Sequence, residues 1–245
     1  MSLLAWALAG LIGLALGLLG GGGSILTVPV FTYVLGYAPK QAIAMSLPVV
    51  GFAAAVGAAA GLRRGTLPLG PALTVGAATM VGSYTGARLA SYLDGRTQLT
   101  MLAVAMISAA TAMWLRARGT TYQAAIRRHP LALAAIGLSV GLLTGIVGIG
   151  GGFLIVPALV IVGGLPMREA TSASLLVIAI SAFSGFAGYL GQVELTWSVI
   201  VPFAVVAAGG VLAGGMLAGR VSSQRLQQAF AVFLLLLGGY MLARG

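Results

Sequence analysis

Long apolar runs separated by short charged or polar stretches make up almost the whole chain. After Lys40, most uncharged runs have roughly the twenty-residue length that one membrane-spanning helix needs. Two runs, 1–39 and 130–167, are much longer. A single helix over either would be about 57 Å long, against a hydrocarbon core of about 30 Å. Each long run is therefore expected to hold two segments. The other uncharged runs are 41–62, 65–87, 97–115, 170–193, 195–219 and 226–243.

Glycine clusters divide both long runs. Residues 20–23 are all glycine, and residues 148–152 read Gly-Ile-Gly-Gly-Gly. Glycine is a poor helix former that adopts tight turns readily, so each cluster predicts a helix break. The second segment of each pair is short for a full span, and it either crosses the membrane or turns back as a re-entrant hairpin. The predicted segments are 3–19 and 24–36 in the first run, and 131–147 and 153–163 in the second.

An offset of 128 residues superimposes the second half of the sequence on the first without a gap. Aligned glycine, proline and serine residues carry this match, because apolar identities are frequent by chance in so hydrophobic a chain. The expected organisation is a first transmembrane repeat, 1–116, a basic cytoplasmic linker, 117–129, and a second transmembrane repeat, 130–245. Such duplication is typical of secondary transporters. Aligned pairs include Gly23 with Gly151, Pro29 with Pro157, and Ser46 with Ser174.

The basic residues distinguish inverted repeats from parallel ones, because they concentrate in cytoplasmic loops. If each glycine-broken pair turns back, the repeats are inverted, and nine of the 13 Lys and Arg residues lie on the side of the linker. If each pair crosses, the repeats are parallel and that number is seven. The inverted arrangement is therefore favoured. We expect an all-α polytopic membrane protein with two homologous halves, each a glycine-broken helical hairpin followed by three membrane-spanning helices.

Composition supports this class and excludes several others. The chain is 60% hydrophobic and 7% charged, whereas a soluble domain carries about 25% charged residues. A soluble enzyme, a disordered chain and a secreted disulfide scaffold are excluded. Because there is no cysteine and one histidine, no metal site and no cofactor are expected. The net charge of +10 is spread over loops and forms no basic face with interleaved aromatics, so no nucleic-acid partner is expected.

The stretch around the second glycine break resembles the TauE/SafE family of sulfite exporters and organosulfur-anion permeases. It reads Gly-Ile-Gly-Gly-Gly-Phe-Leu-Ile-Val-Pro over 148–157 and continues to Ser174, and a similar copy runs from residue 19 to Leu47. The resemblance covers nearly the whole chain. It implies transport of small sulfur-containing or organic anions across the plasma membrane, which is the inner membrane in a Gram-negative cell. The copies differ where Ser24 aligns with Gly152, so the two half-sites need not be equal.

The helix that starts after each break is the candidate anion site. Its first N–H groups have no partner within the helix, and its positive dipole end attracts an anion. Tight packing is the alternative explanation for the glycines, and hydrogen bonds between helices are an equally supported explanation for Ser46 and Ser174. Pro29 and Pro157 are expected to shape the helices. The candidate substrate-binding residues are Gly22, Gly23, Ser24, Ser46, Gly150, Gly151, Gly152 and Ser174.

The leading hypothesis is a secondary transporter that works by alternating access, and the alternative is an anion channel with the same site. No catalytic residues are expected, because the sequence offers no nucleophile–base pair, acid pair or metal cluster. A bare scaffold is disfavoured, since helix breaks are costly in lipid unless they are buried or line a cavity. No acidic residue lies deep in an expected span, which argues against a carboxylate proton relay. The sequence is compatible with a monomer or a homodimer.

Overall fold

The structure is a computed structural model that describes residues 3–118, 130–147, 152–161 and 163–218, together with positions 225, 228, 232, 235, 236 and 239. Within these ranges the chain is helical or in short connections, with no strand. The basic linker and the centre of the second glycine break, 148–151, lie outside the described residues. The α-helices are α1 (Leu3–Leu19), α2 (Gly22–Pro29), α3 (Pro39–Arg63), α4 (Leu69–Leu89), α5 (Gly95–Arg118), α6 (Pro130–Val147), α7 (Gly152–Ile161), α8 (Met167–Tyr189) and α9 (Trp197–Ala218).

The first glycine break turns the chain back on itself. Gly20 has a φ of +70°, a left-handed conformation that favours glycine. After the turn, α2 packs against α1, where a β-carbon on Gly23 would collide with the carbonyl oxygen of Ile12 and lie 2.7 Å from Leu16 Cβ. The bounds of α1 are the expected ones, whereas α2 begins at Gly22, two residues before the expected start, because Gly22 and Gly23 are already helical.

Pro29 marks a change of helix type in the hairpin. The α-helix ends there and one π-helical turn, Val30–Val34, continues it. The Leu35 N–H donates to the Val30 carbonyl oxygen at 3.0 Å. Proline has no N–H, and its ring crowds the carbonyl of the preceding turn. Pro157 likewise lies inside α7.

Helices α3 and α8 occupy equivalent positions in the two halves and run antiparallel through the core. A β-carbon on Gly51 would lie 3.3 Å from Ala182 Cβ, and one on Gly61 would lie 3.5 Å from Ser172 Cβ, so residue numbers rise along one helix as they fall along the other. Together with α9, these are the described helices that are long and apolar enough to cross a membrane. Equivalent helices thus meet face to face with opposite directions.

Close glycine contacts join each half to the other. A β-carbon on Gly82 of α4 would collide with the carbonyl oxygen of Leu138 on α6. One on Gly210 of α9 would collide with the carbonyl oxygen of Gly10 on α1. The 128-residue offset carries the first contact pair onto the second. Each half therefore packs on the other through the same reciprocal surface, and small residues let the helices approach closely.

Candidate functional site

The first glycine break is held from the other half of the chain by Ser174 on α8. Its hydroxyl donates to the carbonyl oxygens of Gly20 at 2.6 Å and of Thr171 at 2.7 Å, sharing one proton between them. A β-carbon at Gly20 would lie 2.6 Å from the Ser174 Oγ. Glycine at position 20 is therefore required both by the left-handed turn and by the approach of α8.

Two further hydroxyls donate hydrogen bonds to carbonyl oxygens at the same break. The Ser24 Oγ donates to the Gly21 carbonyl oxygen at 2.7 Å, and the Thr27 Oγ1 donates to that of Gly23 at 3.2 Å. Both side chains are fully buried. No described side chain caps the N terminus of α2. The hydroxyl protons are thus directed to carbonyl oxygens, and the donors that the helix leaves for a ligand are its first backbone N–H groups.

The candidate residues divide into several groups. Ser24, Gly22 and Ser174 lie around the first break, whereas Gly23 packs on α1 and contributes its missing side chain to the hairpin. Ser46 is fully buried on α3 and donates to the Ile43 carbonyl oxygen at 2.7 Å. Gly152 begins α7. Gly150 and Gly151 lie outside the described residues.

A cavity of about 430 Å³ lies beside this break. It lies between α1, α3, α8 and α9, and its walls include Gly17 and Thr171 next to the break. Thr171 is the residue whose carbonyl oxygen accepts the Ser174 hydroxyl. The cavity therefore has one wall next to the contact that joins Gly20 to α8. Its polar lining side chains are Arg64, Thr66, Arg168, Thr171 and Ser172.

The equivalent place at the opposite end of the helices is filled. The offset carries Gly61, which lines the cavity, onto Tyr189, which is 1% exposed. The Tyr189 hydroxyl donates to the Ile146 carbonyl oxygen at 3.0 Å. The amide nitrogen of Gln98 donates to that same carbonyl at 2.8 Å and to the Tyr189 oxygen at 3.2 Å. One ring and one amide thus occupy this place.

A second glutamine makes further contacts at the same end. Gln192 aligns with Arg64 of the open cavity, and its amide nitrogen donates to the carbonyl oxygens of Gly188 at 2.8 Å and Ala87 at 3.2 Å. The Gln192 amide thereby ties the end of α8 to the end of α4. The two ends of the molecule are alike in fold and different in side chains.

Sequence reasoning missed the residues that make this difference. Arg64, Gln98 and Tyr189 were not predicted as site residues, because the prediction relied on positions that are alike in the two halves. The signal was present: glycine aligned with tyrosine at 61 and 189, and a glutamine inside the uncharged run 97–115. Where a small residue in one half aligns with a large residue in the other, the mismatch predicts an open space beside the small residue and a filled position at the large one.

Apolar helices long enough to cross a membrane, a buried helix break and a cavity with basic residues beside it are features of helical membrane transport proteins. Comparison with known proteins identifies the family. The family model described as Sulfite exporter TauE/SafE matches residues 5–241, so the chain belongs to that family and is a membrane transporter of the TauE/SafE type. The resemblance noted at the glycine breaks is confirmed.

Several curated relatives carry names of the same kind. A probable membrane transporter protein of Xylella fastidiosa strain 9a5c is 31% identical, over 96% of this chain and 92% of its own length. The probable membrane transporter protein YdhB of Bacillus subtilis is 26% identical, over 80% and 81%. MJ0441 of Methanocaldococcus jannaschii, with the same description, is 25% identical, over 81% and 79%. No solved structure matches the chain.

Proposed function

We propose that this protein is a secondary transporter of small anions, of the sulfite or sulfonate type, that works by alternating access. One observation carries the proposal: Thr171, which shares the Ser174 proton with Gly20, lines an open cavity, while the equivalent place at the other end of the helices is filled by Tyr189. A duplicated protein with one open and one closed end has the asymmetry that alternating access requires. Exchange of the two arrangements would carry a ligand across.

Contacts between the halves support inverted repeats. Arg64 and Arg168 line one cavity, whereas parallel repeats would put them on opposite faces of the membrane. The Gln41 amide nitrogen donates to the Glu194 carbonyl oxygen at 3.0 Å, and parallel repeats would separate these two residues as well. The antiparallel pairing of the equivalent helices α3 and α8 has the same implication. We therefore propose repeats 1–116 and 130–245 of opposite orientation.

The positive-inside rule then orients the molecule. The open cavity carries Arg64 and Arg168, and Arg63 precedes it, so this end faces the cytoplasm together with the linker 117–129. The closed end, with Lys40 and Glu194, faces outward. Lys40 Nζ donates to the Ser91 carbonyl oxygen at 3.3 Å, which keeps Lys40 at the outer surface. The proposed location is the plasma membrane, or the inner membrane of a Gram-negative cell.

The proposed substrate site is the pair of glycine breaks. At the first, the backbone N–H groups at the start of α2 and the positive end of its dipole would meet the anion. Ser24 and Ser174 would hold the carbonyl oxygens of the turn away from it, because their hydroxyls already bond those oxygens. By the internal repeat, Gly150, Gly151, Gly152 and Ser46 would form the second half-site.

Transport in proteoliposomes tests the proposal. The purified chain, reconstituted in vesicles, should take up labelled sulfite, thiosulfate or a sulfonate with saturable kinetics. It should also exchange internal for external substrate in counterflow. Chloride at equal concentration serves as the control anion. Saturable counterflow is the expected result. Ion flux that rises without saturation and shows no counterflow would identify a channel and overturn the proposal, as would the absence of any anion flux.

A further inference from the structure

We propose that the cavity lined by Arg64 and Arg168 is an anion-binding site in its own right, distinct from the glycine break. Its ligand would be a small oxyanion with one or two negative charges, such as a sulfonate or sulfate. The inference shares with the proposed function only the anionic ligand, and it would hold equally for a carrier or for a channel.

The charge of the lining residues carries the first step. Arg64, which follows α3, and Arg168, at the start of α8, line one cavity of about 430 Å³, and no Asp or Glu is among its lining residues. Pockets of about 300–1,000 Å³ are the usual size for small-molecule sites. A guanidinium matches the oxygens of a sulfonate with paired N–H donors and remains charged at any physiological pH. Two such groups give the cavity a strong preference for anions.

Hydroxyl groups add neutral donors on one wall. Thr66 Oγ1 and Ser172 Oγ lie 3.0 Å apart and share a hydrogen bond between the α3–α4 connection and α8. Thr66 Oγ1 also donates to the Gly61 carbonyl oxygen at 3.2 Å. With the Thr66 proton directed there, Ser172 is the donor to Thr66 Oγ1, and it would exchange this hydrogen bond for one to an oxyanion in the cavity.

Small residues position Arg64. A β-carbon on Gly215 of α9 would lie 3.2 Å from Arg64 Nη1, so the guanidinium crosses from α3 to lie over this glycine. The offset carries Gly215 onto Ala87 and Arg64 onto Gln192. The arrangement therefore exists at one end only. The Arg64 contact thus results from a difference between the halves, whereas Arg168 aligns with Lys40, another basic residue.

The absence of native cysteine allows a direct electrostatic test. Ala60→Cys places a thiol on the cavity wall. Its reaction rates with an anionic sulfonatoethyl thiosulfonate and with the cationic trimethylammonioethyl reagent are compared as a ratio. We expect Arg64→Gln or Arg168→Gln to lower this ratio about tenfold, because each removes one nearby positive charge. Arg64→Lys should retain most of it. Arg63→Gln, the adjacent arginine outside the lining, is the matched control and should change the ratio less than about twofold.

Binding itself is tested by protection. Methanesulfonate and sulfate should each slow the reaction of Ala60→Cys with a neutral thiosulfonate, and the double variant Arg64→Gln, Arg168→Gln should abolish this protection. A ratio insensitive to both arginines, or protection that survives their removal, would overturn the inference. Protection without anion transport in vesicles would overturn the proposed function and leave this site standing. Anion transport without protection of the cysteine would overturn this binding site and leave the proposed function standing.

Discussion

The Ser174 hydroxyl and the Gly20 carbonyl oxygen, 2.6 Å apart, join the second half of the chain to the helix break of the first. Both groups are buried, so removing the donor leaves a carbonyl oxygen unsatisfied. We expect Ser174→Ala to lower stability by about 1–3 kcal/mol and to lower the maximal transport rate, because the break loses its fixed position. Thermal unfolding in detergent and vesicle uptake measure the two effects.

Ser184→Ala is the matched control for Ser174. Ser184 lies on the same helix, and its Oγ also bonds a carbonyl oxygen of another helix, that of Met80 at 2.7 Å. It lies away from the break and is partly exposed. If both variants reduce transport to the same extent, the contact of Ser174 with Gly20 has no special part in function.

Gly61→Tyr copies the closed end of the molecule onto the open one. The ring would enter the space that Gly61 now leaves beside Thr66 and Ser172, as Tyr189 does at the equivalent place. We expect at least a tenfold loss of transport and of labelling at Ala60→Cys from the cytoplasmic side. Gly61→Ala is the control: its β-carbon would lie 3.5 Å from Ser172 Cβ, an ordinary contact, and transport should persist. Unchanged uptake by Gly61→Tyr would exclude the cavity as the route.

Tyr189→Gly is the reciprocal change. Loss of the ring removes the filling of the outer end and the bond to the Ile146 carbonyl oxygen. The outer end should then admit water-soluble thiol reagents to a cysteine at Ala87, which is fully buried. Tyr189→Phe retains the ring and removes the hydroxyl, so it separates the effect of filling from that of the hydrogen bond. Labelling at Ala87 that stays as slow as in the parent chain would contradict a gating role for Tyr189.

Much of the fold follows from the sequence by general rules. Charge-free length predicted the apolar helices, and glycine clusters predicted the break, since α1 ends at Leu19 as expected. The pairing of helices did not follow from these patterns, because apolar residues face lipid and protein alike. The reciprocal glycine contacts of Gly82 and Gly210 depend on three-dimensional approach, which composition does not encode.

The site was less predictable than the fold. The glycine break was identified, but the direction of each hydroxyl was not: Ser24 and Ser174 bond carbonyl oxygens of the turn. Gly23 illustrates the reason. The space beside a glycine can admit either a ligand or a neighbouring helix, and beside Gly23 it is occupied by α1. Arg64 directly follows α3 and Arg168 lies in the first turn of α8, far away in the sequence. Only the antiparallel packing of α3 on α8 brings them to one cavity.

Topology is tested by labelling single cysteines in intact cells. Ser2→Cys and Thr120→Cys should react from opposite sides of the membrane with an impermeant reagent, because each repeat crosses an odd number of times in the proposed inverted arrangement. Thr120→Cys should be protected and Ser2→Cys labelled in intact cells. Both should label after permeabilisation, which serves as the control. Labelling of both from the same side would exclude the inverted arrangement.

The last prediction concerns substrate charge. The side chains that hydrogen-bond at the first break, Ser24, Thr27 and Ser174, are uncharged. Each helix end contributes roughly half an elementary charge, so two breaks together balance about one negative charge. A dianion would keep an excess charge in a poorly solvated site, at a cost on the order of several kcal/mol. We therefore expect transport to favour a monoanion, such as a sulfonate or hydrogensulfite.

Raising the pH separates the two kinds of substrate. Sulfite loses its second proton as the pH rises and becomes a dianion, so its apparent affinity for transport should fall, while that of a permanently monoanionic sulfonate should not change.

A rival account has an arginine folding inward to supply a full charge. Arg88 instead contacts Tyr84: its guanidinium lies 5.5 Å from the Tyr84 ring centre and donates to the Tyr84 hydroxyl. Arg168→Gln and Arg88→Gln should therefore slow uptake at low substrate and low salt and leave the maximal rate nearly intact. Loss of the maximal rate in either variant, or faster transport of dianions than monoanions, would contradict a site built from backbone dipoles.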